Sequence, residues 1–408
     1  MTSGWTSTTI GDQIPLQRGY DITKLNQRSG TVPVISSGGV SSYHDTAKAR
    51  GPGVVIGRKS NSIGRSYYVQ ENYWPHDTTL WVTDFRGNDP KFVYYFFLNL
   101  YPRLVQLDVG SANPTLNRNH IHPMRVDWPS VAEQRAIGEI LGSLDDKIDL
   151  NRRMNETLEA IARAIFRSWF VDFDPVRAKA EGRPPHGMDE ETAGLFPDSF
   201  EDSTLGKIPF GWRVMQVGQV CEFNRRQIQG TSALETIDYV DISSVMRGRL
   251  IEIQRLRYAE APSRARRLVT QGDTIFSTVR PGRGAFLYIY EPSDQMVVST
   301  GFAVMTPMGV PSAFLYEWVT SNDFIEFMDR NADGAAYPAI RPERIGQGLI
   351  LVPPQPILKK FEDLCQPCLA KMASNERESR TLAALRDALL PKLLSGEIRV
   401  KEAESLVQ

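Results

Sequence analysis

IGEILGSLDDKIDLNRRMNETLEAIARAIFRSW, residues 137–169, and FEDLCQPCLAKMASNERESRTLAALRDALLPKL, residues 361–393, are the two stretches on which the fold turns. In the first, Ile137, Leu141, Leu144, Ile148, Asn151, Asn155, Leu158, Ala162, Ile165 and Trp169 step by alternating four and three residues. In the second, Phe361, Cys365, Cys368, Met372, Asn375, Ser379, Leu382, Arg386, Leu389 and Leu393 take the same steps. That spacing averages about 3.5 residues, the period of helices that pack along a common seam. Neither glycine nor proline interrupts residues 143–171 or 369–390. At ~1.5 Å per residue the stripe from Ile137 to Trp169 is about 48 Å long. Each seam carries an amide near its middle, Asn151 in one and Asn375 in the other. A buried Asn in an apolar seam gives up stability and fixes register. If the two helices pack antiparallel about a pseudo-two-fold, these two amides meet, and they are the expected register residues.

Working outward, the stretches belong to a repeat of the whole chain, the feature to settle first in any fold reading. GSANPTLN at 110–117 matches GAAYPAIR at 334–341, an offset of 224 that continues through Ile121 with Ile345, Val126 with Ile350 and Pro129 with Pro353. Upstream, Gly4-Trp5 is echoed by Gly211-Trp212, and Ile10-Gly11 by Val217-Gly218, at an offset of 207. The order is globule, helix, linker, globule, helix. Residues 1–130 and 210–354 read as mixed α/β, with β-rich runs at 54–56, 80–82, 286–290 and 296–298 and aromatic-rich helical segments at 91–104 and 313–329. Residues 172–209 hold five prolines, four glycines and an acidic bias, the composition of a surface linker without a long regular element.

With 408 residues the chain exceeds one ordinary core. No apolar run reaches the ~18–20 residues of a membrane span, and MTSGWTSTTIGD at the start has no secretory signal pattern. Three cysteines make no disulfide framework, so a cytoplasmic home is expected. The net charge of −1 hides a polarised distribution. Residues 247–283 hold nine arginines against Glu252, Glu260 and Asp273, and residues 181–202 hold seven acidic groups against Arg183.

Two basic, polar loops stand at comparable places: GRKSNSIGR at 57–65 and STVRPGRG at 277–284. Arginine pairs with guanine through two hydrogen bonds, Asn or Gln pairs with adenine, and glycine lets backbone amides approach phosphates. The catalytic signals are weak by contrast. Cys365 and Cys368 have no further zinc ligands at suitable spacing and fall on seam positions. The glycines of 51–57 lack dinucleotide-binding spacing, and no phosphate-binding G-x-x-x-x-G-K-[ST] is present. Asp145-Asp146-Lys147 lies within a helical pattern, and the five histidines are scattered. A DNA-modifying enzyme acting alone and a coiled-coil adaptor without a DNA role stay open as alternatives.

Several strings together resemble the specificity subunit of type I restriction–modification systems, over essentially the whole chain. They are PSVAEQRAI at 129–137, LDDKIDLN at 144–151 and AIFRSWF at 164–170; in the linker DFDPVRAK at 172–179, GMDEE at 187–191 and LFP at 195–197; and in the first globule Gly57-Arg58-Lys59, Ile63-Gly64 and PTLN at 114–117. PQPILK at 354–359 departs from the pattern of the first helix. The resemblance implies an α+β fold: two mixed α/β target recognition domains separated by two long helices that form an antiparallel coiled coil with pseudo-two-fold symmetry. The expected divisions are 1–130 and 209–354 for the recognition domains, 131–171 and 355–395 for the spacer helices, 172–208 for the linker and 396–408 for a C-terminal tail. It implies a non-catalytic chain whose two domains read the halves of a bipartite, asymmetric site in double-stranded DNA. The helices would set the gap and dock two methyltransferase subunits, and motor–nuclease subunits would join them. No cofactor or metal is expected on this chain; S-adenosylmethionine, ATP and Mg are implied for the partners, and no membrane. The DNA-binding residues expected are Arg58, Lys59, Ser60, Arg65, Asn117 and Arg118 in the first half. In the second they are Arg280, Arg283, Tyr337, Arg341 and Arg344, with Arg264, Arg266 and Arg267 on phosphates.

Overall fold

A computed structural model describes residues 5–23, 25–107, 115–228, 234–334 and 336–407. The chain divides into two units, residues 1–150 with 378–408, and residues 151–377. The two 33-residue stripes lie on single helices, Val131–Phe170 and Gln355–Ser395. Each helix therefore gives one half to each unit.

In the first unit, Thr6–Thr9 pairs antiparallel with Arg125–Trp128. A four-stranded antiparallel sheet runs in the order Leu16–Arg18, Thr79–Val82, Gly53–Gly57, Ser66–Val69. A three-stranded sheet orders Gly39–His44, Val32–Ser36 and Trp74–Pro75, the last pair parallel. The helix Pro90–Gln106 buries Phe92, Val93, Phe97, Leu100 and Leu104 in one core with Val54, Ile56 and Leu80. Ile137, Ile140, Leu141 and Leu144 from the first long helix and Leu389, Leu390 and Leu393 from the second complete that core.

The second unit repeats the plan. Arg213–Gln216 pairs with Leu349–Val352, the place of the first unit's opening pair. One four-stranded sheet orders Cys221–Phe223, Phe302–Pro307, Thr274–Ser277 and Phe286–Tyr288. Another orders Gln254–Arg257, Thr236–Val240, Met296–Ser299 and Ala265–Leu268, again with one parallel pair. The helical segment expected at 313–329 is two helices, Ser312–Val319 and Asn322–Arg330, broken at the Thr320-Ser321 turn where Ser321 caps the second. Ala162, Phe166, Trp169 and Phe170 meet Phe314, Phe361, Cys365 and Leu369 in the core. Phe361 is fully buried and its ring lies 5.0–6.4 Å from those of Phe166, Trp169, Phe170 and Phe314.

The buried face of the helices is wider than the four–three stripe, because each half-helix packs on its own globular part as well as on the other helix. Ile140, Phe166, Phe170, Leu369 and Leu390 are buried beside the stripe. Contacts within each unit run in opposite directions. In the second unit Asn151 meets Asn375 while Phe166 meets Phe361; in the first Arg386 NH1 bonds Asp145 Oδ1 at 2.5 Å and Lys147 pairs with Glu378 at 3.6 Å. Asp145 and Asp146 are thus ion-pair partners of Arg386 and Lys91.

Each long helix is seated on its unit differently. In the first unit Asp89 caps Pro90–Gln106 by accepting from Phe92 N at 2.8 Å. Gly138 and Gly142 make room for this turn, since a Cβ on Gly138 would stand 2.9 Å from Asp89 Oδ1 and one on Gly142 3.0 Å from Lys91 Nζ. In the second unit Ser312–Val319 has no cap of its own. Glu362 on the long helix takes that role, accepting from Ser312 Oγ and Ala313 N, each at 3.1 Å. Gln366 joins them by donating to Tyr288 Oη at 2.9 Å and Glu362 Oε1 at 2.7 Å.

Two segments carry more structure than composition implied. The linker holds the short helices Asp174–Ala180 and Glu190–Gly194 and the hairpin Phe200–Ser203 with Gly206–Pro209. Val176 and Phe196 are buried in the second core against residues such as Trp169, so the linker is part of that unit. The expected C-terminal tail contains the helix Val400–Val407, whose Ala403 is buried in the first core. Cys365 is buried as expected, whereas Cys368 is partly exposed, off the seam. Burial pushes both thiols up, away from the thiolate form. Among the described residues no helix is long and apolar enough to cross a membrane.

Candidate nucleic-acid interface

The two basic loops are held by the same backbone bonds. After Gly53–Gly57 the first loop closes with Gly57 N on Arg65 O at 2.8 Å, around the turn Ser60–Ser62. After Thr274–Ser277 the second closes with Ser277 N on Ala285 O at 2.8 Å, around the turn Pro281–Arg283. Each is then stitched to its copy of the repeated string. Lys59 bridges Thr115 and Leu116 N donates to Arg58 O at 2.9 Å; Val279 bridges Ala339 and Ile340 N donates to Thr278 O at 2.8 Å. Residues 110–114 and 335 of these strings lie outside the described residues. Gly57 is required where it stands, because a Cβ would meet Ser62 O at 2.1 Å.

One frame carries different side chains. In the first unit Arg58 is half-buried, its Nε 3.4 Å from Leu116 O and its NH1 3.4 Å from Asp77 O. Burial pushes its guanidinium down, and the Arg18 charge adds to that. Lys59 lies 4.0 Å from Asp77, and Arg65 is exposed. The Ser60 side chain lies outside the described residues. Asn117 caps the short helix Arg118–Ile121, its oxygen accepting from Asn119 N at 3.0 Å. Arg118 NH1 reaches Leu16 O at 3.4 Å.

In the second unit Arg280 sits in the left-handed region at φ 49° and places its guanidinium 4.6 Å from the centre of the Tyr337 ring. Tyr337 is 73% exposed. Arg341 stands where Asn117 stands in the first unit, before the helix Pro342–Gly346, and is exposed with Arg283 and Arg344. Arg344 NH1 bonds Gln347 Oε1 at 3.1 Å. Arg247, a loop member not singled out from sequence, lies against Gly284 and is exposed.

Arg264, Arg266 and Arg267 separate. Arg264 is exposed, and its carbonyl accepts from Thr300 N beside the loop. Arg266 bonds Tyr258 Oη at 2.6 Å. Arg267 departs from the expectation of a phosphate contact: its NH1 is buried without a hydrogen-bond acceptor, and burial pushes its guanidinium down. The strand Ala265–Leu268 shifts register against Met296–Ser299 between Ala265 and Arg267, where Arg266 is the extra residue.

Asn151 and Asn375, the two amides expected to set the register, form a cluster with Asn155. Asn151 Nδ2 donates to Asn375 O at 3.4 Å, Asn375 Nδ2 donates to Asn155 Oδ1 at 2.8 Å, and Asn155 Nδ2 reaches Met372 O at 3.2 Å. Asn151 and Asn375 are buried. Asp21, His76 and Asp77 each place a ligand-type atom within 4.8 Å of the others, with one histidine among them. Arg18 NH2, however, bonds Asp77 Oδ2 at 2.6 Å and Lys59 stands near it, so this cluster already holds cations of the chain itself.

Residues 2–160 match the family described as type I restriction modification DNA specificity domain. The specificity subunit of type I restriction enzyme MjaIX from Methanocaldococcus jannaschii is 27% identical over 329 residues, covering 76% of this chain and 70% of that protein. The specificity subunit of type I restriction enzyme HindI from Haemophilus influenzae is 24% identical over 362 residues, covering 76% and 77%. The crystal structure of a type I restriction–modification system S subunit from M. genitalium shares the fold, with a TM-score of 0.62 at 15% identity over 96% of each chain. Over most of its length, therefore, this α+β chain is similar to the specificity subunits of type I restriction–modification systems.

Proposed function

We propose that the chain is the DNA sequence-recognition subunit of a type I restriction–modification complex and is itself non-catalytic. Each unit reads one half of a bipartite, asymmetric site. The observation that carries this reading is the repeated loop frame. Leu116 N on Arg58 O and Ile340 N on Thr278 O fix the same backbone in both units, while Arg58 and Lys59 of the first hold the places of Thr278 and Val279 in the second, whose loop carries Arg280 instead. One frame with two side-chain sets suits two different half-sites on one duplex. The long helices form an antiparallel, pseudo-two-fold spacer that sets the gap and docks two methyltransferase subunits. Asn151 and Asn375 fix its register. S-adenosylmethionine belongs to those subunits, and ATP and Mg to motor–nuclease subunits.

Mapping methylated adenines across the genome of cells with and without this chain tests the reading. The expected result is a two-part, asymmetric motif that vanishes with the chain. Purified chain alone, incubated with DNA and S-adenosylmethionine, transfers no methyl group. Methyl transfer by the chain alone, or an unchanged methylome, overturns the assignment. The spacer role has its own test. Four residues added to each long helix lengthen it by ~6 Å, which at ~3.4 Å per base pair widens the gap in the motif by one or two base pairs. An unchanged gap excludes the helices as the ruler.

A further inference from the structure

Beside the first basic loop lies a recess of about 290 Å³ lined by Arg18, Arg58 and Arg118 and by the amides of Gln17 and Asn117. Arg18 and Gln17 come from the edge strand Leu16–Arg18, Arg58 from the loop after Gly53–Gly57, and Arg118 from the start of Arg118–Ile121. Each arginine is held by main-chain oxygen. Arg18 Nε donates to Asp77 O at 3.2 Å, Arg58 bonds Leu116 O and Asp77 O, and Arg118 bonds Leu16 O. Carbonyls orient a guanidinium without cancelling its charge. Asp77, which bonds Arg18, and Asp21 beside it are neighbouring carboxylates. Burial raises the Asp77 carboxyl, but the hydrogen bond from Arg18 and the charges of His76, Lys59 and Arg18 outweigh it and hold the group ionised. Arg18, Arg58, Lys59 and Arg118 against Asp77 and Asp21 leave the surroundings net positive.

The position of Asp77 follows from a glycine. A Cβ on Gly19 would meet His76 O at 2.2 Å and Pro75 O at 2.4 Å. Without a side chain there, Tyr20 N bonds Pro75 O at 2.8 Å and the turn carrying Asp77 closes over Arg18. Asn117 gives its oxygen to Asn119 N, which leaves its NH₂ as the group it offers to a ligand. Fixed arginines, amide donors and a concave shape make a site for a tetrahedral oxyanion.

We propose that this recess binds a backbone phosphate of the DNA read by the first unit, with Arg18 and Arg118 as phosphate-binding residues beside Arg58. The inference rests on the DNA-recognition reading and deepens it. It divides the labour within the unit. The recess anchors the strand without regard to sequence, and the loop tip at 59–65 is left to meet base edges. Such anchoring fixes register and contributes affinity that salt weakens.

The test uses the full chain and a random-sequence duplex pool, with binding measured across a salt series and the bound fraction sequenced. Arg18→Ala is expected to weaken total binding about tenfold and to lower the slope of log K against log salt by about one, leaving the selected sequence unchanged. Arg18→Lys retains the slope because it retains the charge. Arg118→Ala, on another wall of the recess, is expected to show the same decrement and carries the test if the first variant fails to fold. A changed selected sequence makes Arg18 a base reader and overturns the proposal, as does an unchanged slope. If Arg18→Ala abolishes stabilisation by inorganic phosphate but leaves duplex binding intact, the recess holds a free anion and the proposal falls. A wild-type chain without salt-dependent duplex binding defeats the recognition reading itself, an outcome distinct from a wild-type response that the arginine variants share.

Discussion

Phe361→Ala is expected to destabilise the second unit by about 3–5 kcal/mol, the range for removing a fully buried aromatic side chain. Phe361 has no solvent exposure, and the rings of Phe166, Trp169, Phe170 and Phe314 surround it. Those neighbours come from the first long helix and from Ser312–Val319. One side chain thus ties both helices to the recognition part, and the cavity left by alanine has walls on three elements that do not close together easily. Phe361→Leu keeps much of the volume and loses the ring contacts, at about 1–2 kcal/mol. Thermal denaturation checks both. A fall of roughly 10 °C is expected for the alanine variant, and a shift of a degree or less would mean that the helices are not held at this cluster.

Glu317→Gln is expected to remove a pH dependence of stability. Glu317 lies on Ser312–Val319 and is buried. Burial pushes its carboxyl up to about 8, with Arg163 opposing and Glu159 adding to the rise. The folded value is above the ordinary unfolded one, so the stabilisation is complete below the unfolded value. It is lost as pH rises through about 8. In the wild type, stability therefore declines between about pH 5 and pH 9, by on the order of a few kcal/mol. The glutamine variant, uncharged throughout, holds a nearly flat profile and exceeds the wild type at the alkaline end. Urea denaturation across that range measures the difference. Parallel profiles for the two proteins would show that Glu317 is ionised in the fold or exposed to water.

The long helices were legible because a 3.5-residue period sustained for 33 positions, with glycine and proline absent from residues 143–171 and 369–390, admits little else. Asn151 and Asn375 were legible for the same reason, as amides at equivalent places near the middle of each stripe. The recurrence of two loops beside two copies of one string pointed to a paired frame. Periodicity did not show how wide the buried face is. Phe166 and Phe170 fall off the stripe and become core only because the globular part packs against the helix from the side. Arg18 and Asp77 are 59 residues apart and meet through a turn that Gly19 permits, a pairing with no local signature. Arg267 shares its charge and neighbourhood with Arg264 and Arg266, and nothing local in the sequence marks it as the one whose NH1 is buried without an acceptor. Charge runs locate basic segments, whereas tertiary packing decides which of those cations are exposed.

Gly138 and Gly142 on one long helix, and Glu362 and Gln366 on the other, make the two halves unequal where a domain exchange would need them alike. The second recognition part moved onto the first helix would face two bare glycines and leave Ser312 and Ala313 N–H groups without their acceptor. The first part moved onto the second helix would drive Asp89 into Glu362, carboxylate against carboxylate. On the proposed reading, exchanging recognition parts between positions calls for these helix residues to travel with them, so that the transferable module extends past the globule into the long helix.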